Sequence, residues 1–375
     1  MKTSTLFVVF GWLLAGITTN VLAQGGLTPP GPPGPTFKTL GQIEAGLDRR
    51  RPISSLPYLI SEAGSYYVTT NLMGMTTSHG IMISNNNVSL DLNGFTLSGV
   101  TGSYVGIVVY AVTNITVRNG TVRGWGFEGI NAQNYGPPKS LLFERLMLSE
   151  NSSGIYTYGP SVVRDVICQS NRFYGMFCTD SQVSSCLIYD NGDDGVRANM
   201  SQLRDCTFRG NGGVGIQAIW SQMEGCLAVA NKSHGFICSA SMARGCQARD
   251  NGFLGFNVQP GDVFNCVAEG NKNTGIEVLS DGSQIVGNTS RRNCTVSNGF
   301  DGGILIGASN NRIEGNHVTR NNGVGIRIAN GTNNVVIRNT VAGEGTNNFI
   351  IPANNDVGPI GSAATATSPW ANIAK

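Results

Sequence analysis

The sequence predicts an all-β solenoid, a parallel β-helix with three short strands in each coil of about 20 residues. Three observations carry that prediction. Asn recurs every twenty residues at Asn151, Asn171, Asn191, Asn211, Asn231, Asn251 and Asn271. Gly follows on nearly the same period at Gly154, Gly175, Gly195, Gly215, Gly235, Gly255 and Gly275. Cys keeps the spacing independently at Cys186, Cys206, Cys226, Cys246 and Cys266. A helical hairpin repeat needs about thirty residues or more, so the unit is too short for one. The segments between glycines are also short and β-branched, which is strand chemistry.

Each strand is read from alternation. In the coil Leu203–Gln222, the patches Cys206-Thr207-Phe208 and Ile216-Gln217-Ala218 send their first and third side chains one way and the middle one the other. Across coils, the third positions are small or apolar: Cys168, Ile188, Phe208, Ala228, Ala248, Ala268 in one column, and Cys178, Ala198, Ala218, Cys238, Val258, Val278 in the other. The middle column Phe177, Arg197, Gln217, Ile237, Asn257, Glu277 is mixed, as a solvent face would be. A further apolar column, Val163, Val183, Leu203, Met223, Ala243, Val263, supplies the third strand. The Asn ladder is assigned to the corners, where Asn tolerates left-handed backbone and its amides can bond from coil to coil. The Gly that follows is expected to let the chain turn back into a strand.

The same alternation extends through Val88–Leu97 and Ile115–Val122, and C-terminally through Asn298–Ile304, Asn321–Ile326 and Val335–Ile337. The solenoid is expected over 58–351, with about thirteen coils stacked into a rod about 60 Å long. Open coil ends need covers. Phe37–Leu47, inside a Pro-rich linker and cap over 24–57, is expected at the front. The tail 352–375, with Trp370, is expected at the back. Residues 1–23 read as a signal peptide: Lys2, an uncharged apolar run Leu6–Ile17, and cleavage after Ala23. That predicts a secreted, periplasmic or cell-surface protein with no membrane span in the mature chain. A net charge of +2 with only 13% charged residues argues against a nucleic-acid partner.

Nine cysteines in an exported chain raise the question of disulfides. Stacked neighbours would hold parallel Cβ vectors about 4.8 Å apart, outside the usual 3.5–4.5 Å. The ladder is therefore read as small buried hydrophobes. No His accompanies it, so it is not read as a metal site.

The segments Val88–Gly99 (VSLDLNGFTLSG), Ile115–Gly124 (ITVRNGTVRG) and the Asn-x-x-x-Gly-Ile coils resemble right-handed parallel β-helix repeat proteins of the pectin-lyase-like superfamily. The Pro-rich start, Pro52–Pro57 and Pro369-Trp370-Ala371-Asn372 resemble an exported bacterial branch of it. The resemblance implies a right-handed coil and a polysaccharide or cell-surface glycan as partner. Lyase, hydrolase, epimerase and non-catalytic members all exist, and Ca²⁺ enters only by that analogy. The family's Arg-rich lyase motif is absent.

No Gly-x-Ser-x-Gly elbow, zinc or Ca²⁺ loop, or phosphate-binding Gly-rich loop is present, and no cofactor is evident. Asp193 and Asp194 faintly resemble the paired-Asp element of the superfamily's hydrolases, and His234-Gly235 their His-Gly element. These three are the catalytic candidates, against the alternative of ordinary polar corner residues. Inverting hydrolysis would need carboxylates about 6.5–9.5 Å apart. Tyr156, Tyr158, Phe177, Tyr189 and Arg197 are the substrate-binding candidates, since flat rings beside polar groups suit sugars. Phe173 and Tyr174 lie among them. The column Arg164, Ser184, Arg204, Glu224, Arg244 reads as cross-strand ion pairing or as acidic-sugar recognition. Two functions are expected: polysaccharide binding or processing, by a lyase or glycoside hydrolase if catalytic, and alternatively a non-catalytic structural or adhesive surface protein.

Overall fold

A computed structural model describes residue 39 and residues 50–133, 140–295 and 302–375. The expected signal peptide, the Pro-rich stretch and, apart from Thr39, the front segment Phe37–Leu47 lie outside the described residues. The strands all belong to the unit Arg50–Lys375. Among the described residues every regular element is a strand, and no helix is long and apolar enough to cross a membrane.

The strands build three faces. Face 1 is a sheet of 14 parallel strands running from Tyr58–Ile60 to Phe349–Ile350, one strand per coil. At about 4.8 Å per step this is a rod about 60 Å long. Faces 2 and 3 form one 28-stranded ladder, because the long strands Ile115–Arg123 and Leu141–Ser149 run through both. A regular coil passes from face 2 (Gln202–Arg204) to face 3 (Thr207–Arg209) and round to face 1 (Ile216–Ile219). Residues twenty apart are stacked: Leu203 on Met223, Phe208 on Ala228, Ala198 on Ala218. The three predicted inward columns are all buried. Volume is traded across the interior. Where face 1 contributes the stacked rings of Phe236 and Phe256, centroids 4.8 Å apart, face 3 contributes Ala248 and Ala268.

The Asn ladder is continuous and buried. Each amide donates to the next Asn and to a strand carbonyl, as Asn191 Nδ2 does to Asn211 Oδ1 at 3.0 Å and to Cys168 O at 3.1 Å. Its left-handed residues are displaced from the expectation. Ser170, Asp190, Ala230 and Asp250, each immediately before an Asn, carry φ of 52–55°. The left-handed residue swings the chain so that the Asn after it points inward, where its amide replaces water for the corner's backbone groups. The Gly of each coil is corrected likewise. Gly195, Gly215 and Gly235 are not left-handed. A Cβ on Gly195 would lie 2.5 Å from Gly215 O and 2.8 Å from Asn211 Nδ2. These glycines let successive coils approach.

The cysteines form a second ladder of the same kind. All nine cysteines are buried. Cys206 Sγ donates to Arg204 O at 3.3 Å, and Cys246 N donates to Cys266 Sγ at 3.3 Å. From Cys266 the column continues in Asn: Asn288, Asn316, Asn339 and Asn372 bond in sequence. Thiol and amide thus do one job in this column; outside it, in the inward column of face 1, burial pushes the Cys178 thiol up to about 12.

Strand pairing runs past both expected limits. Arg51–Ile53 already pairs with Gly64–Val68, and Asn372–Ala374 pairs with Thr340–Ala342. The tail ends the second ladder through Asn372, while Trp370, half-exposed, lies under Arg338 at 4.3 Å.

Where the first ladder stops, Asn321 N donates to a carboxylate, Glu344 Oε2, at 2.9 Å. Partial burial raises the Glu344 pKa to about 7 against weaker opposing bonds from Asn321 and Arg320, and its Oε1 is buried without a partner among the described residues. The folded chain therefore holds a proton that the unfolded chain releases near the ordinary 4.5. Stability is expected to fall as pH rises from about 4.5 to about 7. Glu344→Gln should remove that slope, matching the parent at pH 4 and exceeding it at pH 8 by about 1–2 kcal/mol after allowance for partial exposure. Urea titrations at the two pH values measure it, and identical slopes in parent and variant would refute it.

Candidate functional site

Face 1 sends one residue per coil outward, in the order Tyr156, Phe177, Arg197, Gln217. The uniform register stacks these side chains, so aromatic neighbours become parallel plates. The Tyr156 and Phe177 rings lie 4.5 Å apart and 5° from parallel. Tyr158, two residues on, sits 5.8 Å from Phe177 at 20°. Arg197 takes the next rung. Its guanidinium lies 4.3 Å over the Tyr174 ring, and its Nε donates to Asp194 Oδ2 at 2.7 Å. Burial is the largest single influence and works against the Arg197 charge, but the bond to Asp194 and the charge interactions with Asp194, Tyr174 and Asp193 together hold the pKa above the ordinary value. Asp194 fixes one edge of the guanidinium, and the terminal nitrogens form the fork that a carboxylate engages in bidentate fashion.

Asp193, Asp194 and His234 occupy the corner between face 3 and face 1. Asp194 is buried, and Asp193 is half-buried. The second Asp194 oxygen accepts Val214 N at 2.8 Å, so both are engaged. His234 stands two coils along in the same column, as the ladder Gly195 N to Val214 O and Gly215 N to His234 O shows. Its ring meets Phe253 edge-on at 5.0 Å, and Nδ1 is buried without a partner among the described residues. Burial lowers the His234 pKa, and the Asp194 charge offsets this only in part. Chemically, this corner holds Arg197 rigidly. Each Asp194 oxygen accepts one hydrogen bond, Oδ2 from Arg197 and Oδ1 from Val214 N. Among the described residues no group of three or more His, Cys, Asp or Glu side chains converges.

The structure thus divides the predicted set. Tyr156, Tyr158, Phe177 and Arg197 form one surface, with Asp193, Asp194 and His234 along its edge. Tyr189 belongs elsewhere. It pairs with Gln169 and Arg209 on face 3, with the Arg209 guanidinium 5.1 Å over its ring. The predicted charge column is real in part: Arg204 and Glu224 pair at 2.9 Å, and Arg164 pairs with Glu144.

Sequence reading overlooked a second aromatic line on the same corner. His79, Tyr104 and Phe127 follow one another at 5.4 and 5.9 Å, and the same column reaches the exposed Phe173 past Ser152 and the exposed Phe253 past Asp193, Gly213 and Ser233. The early coils are longer than twenty residues, so these rings fall out of phase with the repeat. Pairing Ile107 with Ile130, as face 1 does, would have aligned Tyr104 with Phe127.

A family model described as a right handed beta helix region matches residues 75–231. No curated protein matches the sequence. Among solved structures, the chain is similar to the A-module of the Azotobacter vinelandii mannuronan C-5 epimerase AlgE4, with a TM-score of 0.57 and 16% identity over 79% of this chain and 91% of that one. It is also similar to the A-module of AlgE6 from the same organism, with a TM-score of 0.52 and 17% identity over 84% and 91%. The Dettilon tailspike protein gives a TM-score of 0.50 and 14% identity over 82% of this chain and 62% of that one. The chain is a right-handed parallel β-helix solenoid. Its fold is of the pectin-lyase-like type.

Proposed function

We propose that this protein is an exported polysaccharide-binding β-helix whose binding surface is the outer row of face 1, and that its ligand is an acidic glycan. The observation that supports this most is the continuous run from the stacked Tyr156 and Phe177 rings to Arg197, itself held by Asp194 and Tyr174. Rings offer apolar area to sugar faces, and the anchored guanidinium offers a fork to a uronate carboxylate. The fold neighbours named as mannuronan epimerases agree with a polyuronate ligand. Export rests on the reading of residues 1–23.

Electrophoresis of the purified protein through gels containing alginate or polygalacturonate tests the proposal. Both Phe177→Ala and Arg197→Gln are expected to weaken retention at least about ten-fold, equivalent to about 1.4 kcal/mol, and added salt should weaken the parent's retention. Parent protein that migrates alike with and without acidic glycan would overturn it. Hydrolysis or lysis through Asp193, Asp194 and His234 is a separate proposal. New reducing ends or unsaturated product that vanish in Asp193→Asn would support it. Bound glycan left unchanged would leave the protein a binder.

A further inference from the structure

Face 2 carries a different surface, and its chemistry is not that of face 1. Gln182, Gln202 and Gln222 stack in register along it, all exposed. No side-chain partner engages their amides among the described residues. This is the reverse of the buried Asn ladder, where every amide is consumed. The three amides floor a shallow groove with two connected parts of about 350 and 300 Å³, which share Val162, Gln182 and Gln202. On one rim Arg204 pairs with Glu224 at 2.9 Å and Arg244 follows one coil on, while Asp180 lies at the far end, so two positive and two negative charges line the groove. On the other rim Met200 lines the groove, and Trp220 holds the same corner position one coil on, beside Gln222.

That corner, like the one before the Asn ladder, is built on left-handed backbone. Asp180, Met200, Trp220 and Ala240 repeat one left-handed position, with φ of 53, 48, 47 and 47°. Left-handed backbone suits Asp, Asn or Gly and disfavours bulky side chains. Burial could offset the strain, but Met200 is 52% and Trp220 64% exposed. The left-handed turn serves the buried Ser ladder that follows it, Ser201 N donating to Ser221 Oγ at 3.0 Å and Ser221 N to Ser241 Oγ at 2.9 Å, but that turn does not call for a large apolar side chain exposed to water. Backbone strain of this kind is tolerated where a ligand uses the side chain.

We infer that the face 2 groove, with Met200 in its lining and the exposed Trp220 on the corner beside it, is a second glycan-binding surface, and that it takes an uncharged polysaccharide lying along the solenoid axis. Amides repeated once per coil donate to and accept from hydroxyls at regular steps, and neither they nor the balanced lining charges favour an anion. The indole ring covers the apolar face of a sugar. A repeating, hydroxyl-rich, neutral chain matches a repeating, neutral row of amides. Together with face 1, this would let one rod hold two kinds of polysaccharide on different sides.

The test is electrophoresis through gels containing hydroxyethyl cellulose, xyloglucan or laminarin, with thermal unfolding alongside. The full chain is expected to be retarded by at least one of these. Trp220→Asn should weaken retardation at least ten-fold while leaving the thermal midpoint unchanged or higher, because Asn suits the left-handed corner. The double variant Gln202→Ala, Gln222→Ala should weaken it similarly. Phe177→Ala, on face 1, should leave it unchanged, which separates this surface from the acidic-glycan site. Absence of retardation in all three gels would overturn the inference. So would retardation that survives both face 2 variants, or sedimentation showing a dimer that Trp220→Asn dissociates, since Trp220 would then serve contact between copies.

Discussion

Asn211→Ala is expected to destabilise the solenoid by about 3–5 kcal/mol, although it removes only one small polar side chain. Asn211 Nδ2 donates to Ile188 O at 3.3 Å and to Asn231 Oδ1 at 2.9 Å, while its Oδ1 accepts Asn191 N at 3.2 Å and Asn191 Nδ2 at 3.0 Å. The residue is completely buried, so water cannot replace these bonds. Each orphaned buried group costs about 1–3 kcal/mol, and two backbone groups lose a partner besides the two amides. Gln217→Ala, half-exposed on face 1 in the same coil, should stay within about 0.5 kcal/mol. Urea unfolding followed by circular dichroism compares them. A loss below about 1 kcal/mol for Asn211→Ala would mean that the ladder does not hold the coils together.

Gly215→Ala is expected to cost about 2–4 kcal/mol, at the upper end of overpacking effects. Gly215 is not left-handed, so Ala suits its backbone. The obstacle is the next coil: a Cβ would lie 2.6 Å from Gly235 O, 2.8 Å from Asn231 Nδ2 and 3.0 Å from Ala228 Cβ. None of these is the free end of a flexible side chain, so the coils themselves must separate. Gly245→Ala is the opposite case, with φ +60° and open space around the new methyl group. It should cost only about 1–2 kcal/mol, the left-handed penalty alone. Thermal midpoints of the two variants decide the matter. A larger loss for Gly245→Ala would return the coil glycines to a conformational role.

These glycines show where reading a sequence for its chemistry reaches its limit. Gly at a fixed phase announces a constraint, but conformational freedom and lack of room leave the same mark. Asn211 illustrates it from another side: the amide ladder was legible from the repeat, while the left-handed residue was displaced to Gly210 and its equivalents. For the site, Tyr156, Phe177 and Arg197 were legible as one row because they occupy one strand position in consecutive coils. Tyr189 was grouped with them through proximity along the chain, and the corner at Asn191 turns it onto another face. Trp220 and Met200 carried no signal, because a corner position in a repeat tolerates almost any polar residue and strain is invisible without φ.

The sequence by itself determined the solenoid, the stacking of residues twenty apart, the burial of the three inward columns and the two ladders. All of these come from period and alternation, because a strand has two sides and a coil of constant length must stack on the next. Only the tertiary structure decided which outward side chains share a face, that Asp194 spends both oxygens on Arg197 and Val214, and that bulky residues sit on left-handed corners. Those outcomes depend on the angle through which each corner turns and on the separation of side chains from different rungs. A one-dimensional pattern records neither.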